Sequence, residues 1–200
     1  MKFIYLLIIY VVLFSYTVCY SQKKDSIYHA GLNSNELFLK AMPKHRITQK
    51  SSNLCWAACV QLVLQYQGIK INQKKIVNQV LGVYQNLTVR TSFLVEKINN
   101  WHITISKKTF LIAATSKKLN KKNIIQHLLK NNLIILGMGD KTNGHMYVLY
   151  GVDYKIIDNN NFVIEKIYTY NPLPRDKFLN SFSWSEITNK DPDYLIIDIK

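Results

Sequence analysis

The chain predicts one α+β domain, a helical N-terminal part packed on a C-terminal antiparallel sheet. Three observations carry this. Apolar residues recur at helical spacing between residues 55 and 129, while short apolar runs separated by turn residues follow from 133 to 199. Helices therefore come first and strands after, with no repeats and no strand–helix–strand alternation. Two hundred residues, 48% of them hydrophobic, suffice for one medium domain with a sizeable core and exclude a disordered chain.

Residues 22–47 read as a polar arm ahead of the domain, with Gly31, Asn33, Ser34 and Asn35 breaking regular structure. The domain proper is expected over 48–200. Gln49 to Asn53 form a polar loop into a helix that opens at Cys55 and stops at Gly68, a residue suited to a left-handed end. Ser51, Ser52 and Asn53 are the expected caps. That helix is apolar over most of its girth, which predicts burial. Asn72 is placed to cap a second helix, Gln73 to Leu81, ended by Gly82. Thr91 or Ser92 starts a third, carrying Phe93, Leu94, Val95 and Ile98. Trp101 to Phe110 alternates around Ile103 and Ile105 as an extended segment. Asn120 is placed to cap a fourth helix with Ile124, Ile125, Leu128 and Leu129.

The period then changes. Leu133–Met138, Met146–Tyr154, Phe162–Tyr170 and Tyr194–Ile199 read as strands. Asp140–Gly144 and Asp158–Asn161 are turn material, and Ser183 or Ser185 starts a last helical turn.

At the N-terminus, Met1-Lys2 precedes an apolar run, Phe3 to Phe14, and a Cys19-Tyr20-Ser21 exit. This pattern predicts a signal peptide over 1–21, cut after Ser21, and hence a secreted or periplasmic protein. A single membrane anchor is the competing reading, because the run is near the minimum spanning length. No other apolar segment is long enough to span a bilayer. Removal of 1–21 leaves 25 basic side chains against 12 acidic ones, a net charge of +13. The lysines are scattered, as on a solvated surface. No zinc-finger spacing, basic–aromatic RNA motif or recognition helix is present, so nucleic acid is not an expected partner. Contact with a membrane is expected only through the signal peptide. No metal or cofactor is expected, and nothing in the sequence fixes an oligomeric state.

The mature chain keeps Cys55 and Cys59, at i and i+4 of one helix, where Cβ directions suit a disulfide poorly. Cys59 reads as a small core residue. Cys55 falls in the first helical turn, where the helix dipole favours a thiolate and lowers the thiol pKa. Gln49, six residues earlier, offers a side-chain amide that with the Cys55 backbone N–H can face a developing oxyanion. A nucleophilic thiol needs a base. His29 and His45 lie in the arm and its continuation, His102 begins an extended segment, and His127 sits within an amphipathic helix; all four read as structural or solvated. His145 follows Asn143-Gly144 and opens an apolar strand, which presents its imidazole from a rigid element. Asn171, at the end of the next strand, can reach the same end of the sheet and fix the imidazole tautomer. Asn171-Pro172 as a plain strand terminator, and Asp153 or Asp158 as the orienter, are the competing assignments.

The ordered set of Gln49, Cys55-Trp56-Ala57-Ala58, Gly144-His145 and Asn171-Pro172 resembles the papain-like cysteine peptidases. It is more similar to the compact bacterial forms, of the staphopain and bacteriocin-leader-processing types. The resemblance spans about Thr48 to Lys200. It implies that Cys55 attacks a peptide carbonyl, His145 shuttles the proton, Asn171 orients the imidazole and Gln49 stabilises the oxyanion. No Cys closely precedes Cys55 as in papain itself, and the plant enzymes' disulfides and a long pro-region are missing. The expected activity is hydrolysis of a polypeptide substrate through an acyl-enzyme. The same Cys–His–Asn set also serves an acyltransferase, deamidase or transglutaminase-like enzyme, toxins among them, and a binding module on the same fold is the non-enzymatic reading.

Overall fold

A computed structural model describes residues 26–41, 46–118, 120–139, 144–158, 161–173, 177–190 and 192–200. The expected signal segment, His45 and most of the Asp140–Gly144 turn lie outside these residues.

The fold is α+β, as expected from the sequence. Strands β1 (Tyr28–Gly31), β2 (Trp101–Ile105), β3 (Lys108–Lys118), β4 (Ile134–Met138), β5 (His145–Asp158), β6 (Asn161–Tyr170), β7 (Leu179–Phe182) and β8 (Asp193–Ile199) form one antiparallel sheet. Its order is β2-β3-β8-β4-β5-β6-β7. β5 is long enough for β4 to pair with its first half and β1 with its second, along the same edge. Helices are α1 (Ser34–Ala41), α2 (Cys55–Tyr66), α3 (Gln73–Leu81), α4 (Thr91–Ile98), α5 (Lys121–Leu129) and α6 (Trp184–Thr188).

The central strands are apolar on both faces because both faces are covered. Ile135, Val148 and Leu195 join the core under α2, α3 and α4. Their neighbours Ile134, Leu149 and Ile196 join a second core with Ile124, Ile125 and Leu128 of α5. Side chains alternate across a strand, so continuous apolar runs supply two cores at once.

Several local expectations change. The polar arm does not stand apart from the domain: β1 and α1 belong to the fold, and Leu32 and Leu37 are buried in the core that holds α2. The residue at the start of α2 is Leu54, without a side-chain cap; its N–H bonds the Ser51 carbonyl, and Asn53 pairs with Asn86 instead. Trp101 to Phe110 is not one segment but a hairpin, β2 to β3, turning on Ser106 and Lys107 with φ of 49° and 68°. Asn72 and Asn120 cap α3 and α5 as expected, accepting from Lys75 N–H and Asn123 N–H. Gly68 takes the left-handed φ of 88° that follows α2.

Candidate active site

Helix α2 lies across the start of β5. Nine of its residues, Cys55 to Val60 and Leu62 to Leu64, are buried. Two side chains fix its axial position. The Trp56 indole N–H donates to the Leu87 carbonyl at 2.9 Å, and the Cys59 thiol donates to the Met146 carbonyl at 3.3 Å. Met146 follows His145. Cys59 therefore locks the helix to the strand one turn beyond Cys55 and one residue beyond His145, which brings the two ends together.

Cys55, Trp56, Thr91, Gly137, His145 and Met146 border one cleft of about 420 Å³. Cys55 is 6% exposed. Burial pushes its thiol above the ordinary range, and the backbone N–H groups of Met146, Trp56 and Cys55 itself pull the other way without cancelling it. The sequence-based expectation of a lowered pKa is therefore corrected. Desolvation disfavours the charged form more than the helix start favours it. The thiol needs an adjacent base to give up its proton.

His145 borders the same cleft and is held from two sides. Its Nε2 lies 2.9 Å from Asn171 Oδ1, which accepts the ring N–H and leaves Nδ1 as the ring's acceptor nitrogen. The Tyr147 ring meets the imidazole edge-on, with centroids 4.6 Å apart. Asn171 is 4% exposed, and its Oδ1 also accepts the Leu173 N–H at 3.0 Å. Asp153 is engaged elsewhere, with His29 Nδ1 at 2.7 Å and the Tyr168 hydroxyl at 2.5 Å. Asp158 caps the β5–β6 turn, accepting from the Asn161 N–H. His102 is exposed on β2, and His127 is half-buried on α5.

Gln49 is buried beside this site but does not border the cleft in this structure. Its amide Nε2 donates to the carbonyls of Ser51 and Ser52 at 3.0 and 2.8 Å. These carbonyls belong to the loop running into Cys55. Any further acceptor for this amide must share or displace one of those carbonyls. The Gln49 N–H donates to the Pro172 carbonyl at 2.9 Å, and the Tyr170 hydroxyl donates to the Ile47 carbonyl at 2.8 Å. Three consecutive residues, Tyr170, Asn171 and Pro172, thus hold both the imidazole and the Gln49 loop.

Sequence reasoning did not single out the residues of the opposite wall. Thr91 starts α4, and Arg90 and Asp193 add one charge of each sign to the cleft border. Gly137 faces Thr91 so closely that a Cβ there would lie 3.2 Å from Thr91 Oγ1. Thr91 and Asp193 open their elements, Arg90 directly precedes one, and Gly137 lies inside β4, so position in the sequence is their main signal. Among the described residues, no group of three or more His, Cys, Asp or Glu side chains is arranged to hold a metal.

No curated protein matches the chain. The peptidase domain of Streptococcus ComA, described as a bi-functional ABC transporter involved in a quorum sensing pathway, is a similar solved structure. Identity is 14%, the match covers 78% of this chain and 98% of that one, and the TM-score is 0.48. A family model, the Peptidase_C39 like family, matches residues 42–191. The chain therefore belongs to the Peptidase_C39-like family and is a compact papain-like cysteine peptidase.

Proposed function

We propose that this peptidase is secreted and hydrolyses peptide bonds of a polypeptide substrate through an acyl-enzyme on Cys55. The observation that carries the assignment of roles is the His145–Asn171 bond at 2.9 Å in the cleft that Cys55 also borders. In this reading the Cys55 proton passes to His145 Nδ1 as sulfur attacks the scissile carbonyl carbon. The carbonyl oxygen takes up the electron pair and faces the Cys55 N–H and the Gln49 amide. The tetrahedral intermediate collapses, the C–N bond breaks, and the imidazolium donates its proton to the leaving amine. Water, deprotonated by His145, then attacks the thioester, and the acid and the Cys55 thiol are released. Asn171 keeps the ring in the one tautomer that serves both halves. Secretion is supported by the basic start and apolar run of residues 1–21.

The test is reaction of the chain 22–200 with a cysteine-selective epoxide, followed by intact mass and peptide mapping. Rapid labelling of Cys55, lost in His145→Ala, is expected. Labelling of Cys55 at the same rate in both proteins would refute the pair. Product masses from a protein digest should show backbone cleavage; a small mass gain would make a side-chain amide the acyl donor, and a cross-link would make an amine the acceptor.

A further inference from the structure

We propose that Gln73 is a positioning residue for the oxyanion site, aiming Gln49 at the carbonyl that Cys55 attacks; this rests on the roles proposed above. Gln73 is the first residue of α3, yet it is 3% exposed. Its Oε1 accepts the Lys50 N–H at 3.0 Å, and its Nε2 donates to the Thr48 carbonyl at 2.9 Å. Those two groups flank Gln49. The same Nε2 lies 3.0 Å from Gln61 Oε1, and Gln61 is on α2.

The pattern is that of a sheet neighbour. Along an extended segment, backbone groups of alternate residues point to opposite sides. Ile47 and Gln49 bond the end of β6, through the Tyr170 hydroxyl and the Pro172 carbonyl. Thr48 and Lys50 face the other way and meet one side-chain amide, which supplies an acceptor and a donor as a peptide unit would. Gln73 thus completes the second edge of the segment carrying Gln49. Through Gln61 it also ties that segment to the helix carrying Cys55. An oxyanion donor acts only if it is fixed relative to the nucleophile before charge develops. The sequence carries a sign of this role: Gln73 stands on the face of α3 that otherwise holds Ile76, Val77 and Val80.

The test separates two reactions of Cys55. Acylation by p-nitrophenyl acetate passes through a tetrahedral oxyanion. Alkylation by iodoacetamide forms a carbon–sulfur bond and expels iodide at a saturated carbon, so it needs the thiolate but no oxyanion donor. Gln49→Ala should slow acylation by about 10²-fold. Gln73→Met should slow it by about tenfold through displacement of Gln49. Both should leave the alkylation rate within about twofold of wild type, since alkylation develops no oxyanion for Gln49 to meet. The double variant should be no slower in acylation than Gln49→Ala alone, because both substitutions act on one group. Gln61→Leu, at a half-buried position, cuts only the tie to α2 and should show the same split, less deeply. Acylation unchanged in Gln73→Met, or acylation and alkylation falling together in it and in Gln61→Leu, overturns the proposal. A wild type that is alkylated but never acylated at Cys55 overturns the parent reading, and this inference with it.

Discussion

Asn171 Oδ1 accepts two hydrogen bonds, from His145 Nε2 and from the Leu173 N–H, while its own N–H donates to the Phe178 carbonyl at 2.7 Å. One buried side chain thus orders the imidazole and the chain leaving β6. Asn171→Ala would strand two donors, with a stability loss of about 1–3 kcal/mol, and release the ring. Asn171→Asp keeps both acceptors and should retain more activity than Asn171→Ala, as measured by kcat on one peptide substrate. Equal kcat in the two variants would mean that the acceptor is irrelevant. The thiol supports a second prediction. Burial holds Cys55 above the ordinary thiol range. In His145→Ala, the alkylation rate should therefore rise with pH only above that range, whereas wild type should already react at lower pH, because there the imidazole takes the proton. Coincident pH profiles would contradict this. The places of Cys55, His145 and Asn171 in the fold were legible because each stands at the end of a strongly patterned element. Gln73 looks like an ordinary first residue behind a cap, and only the tertiary fold makes it a partner of the Gln49 loop.

At the scale of elements, β1 and β5 approach through a facing pair of glycines, Gly31 and Gly151. Gly31 has φ of 97°, and a Cβ there would collide with the Tyr150 carbonyl, the acceptor of the Leu32 N–H at 2.7 Å. Gly31→Ala should therefore cost about 2 kcal/mol or more, by strain and by the lost bond. A urea midpoint lowered at constant m would show it, and an unchanged midpoint would mean that β1 contributes nothing to the sheet. This strand also shows where sequence reading ended. Its four residues, Tyr28 to Gly31, carry no apolar alternation long enough to mark a strand, and only pairing with β5 defines it. The β2–β3 hairpin was hidden for a related reason. Its turn places Ser106 and Lys107 at positive φ without the glycine or asparagine that normally signals such a turn. Elements with their own punctuation were legible: α3 and α5 have Asn caps, and α2 ends at a left-handed Gly68. The start of α2 misled because Ser51, Ser52 and Asn53 all have the chemistry of caps, yet they hold the Gln49 amide and the Asn86 loop.

For the whole molecule, the two cores share β4, β5 and β8, so neither can melt while the other stands. Leu37 packs with the α2 core and Leu128 with the α5 core, each about 1% exposed or less. Leu37→Ala and Leu128→Ala should each cost about 2–5 kcal/mol, a large part of the usual 5–15 kcal/mol of a domain. Both should move one transition, with loss of helix signal and exposure of Cys59 to a thiol reagent at the same urea concentration. Two separated transitions would show that the α5 face unfolds alone. The same unit has a defined response to base. Burial raises the Cys55, Cys59 and Tyr170 pKa values in the folded state, with the nearby Cys55 charge adding to the rise at Cys59. A folded pKa above the unfolded one contributes stability that is present below the unfolded value and lost as pH rises through the folded one. The unfolded chain releases these protons from the ordinary thiol and phenol range upward, about pH 8.5 to 10, while the folded chain keeps them. Stability should therefore decline across that window, read as a Tm at pH 10 below that at pH 7. Cys59→Ala should flatten the decline, because it removes the most deeply buried of the three acids. An equal decline in that variant would mean that burial of the Cys59 thiol is not its cause.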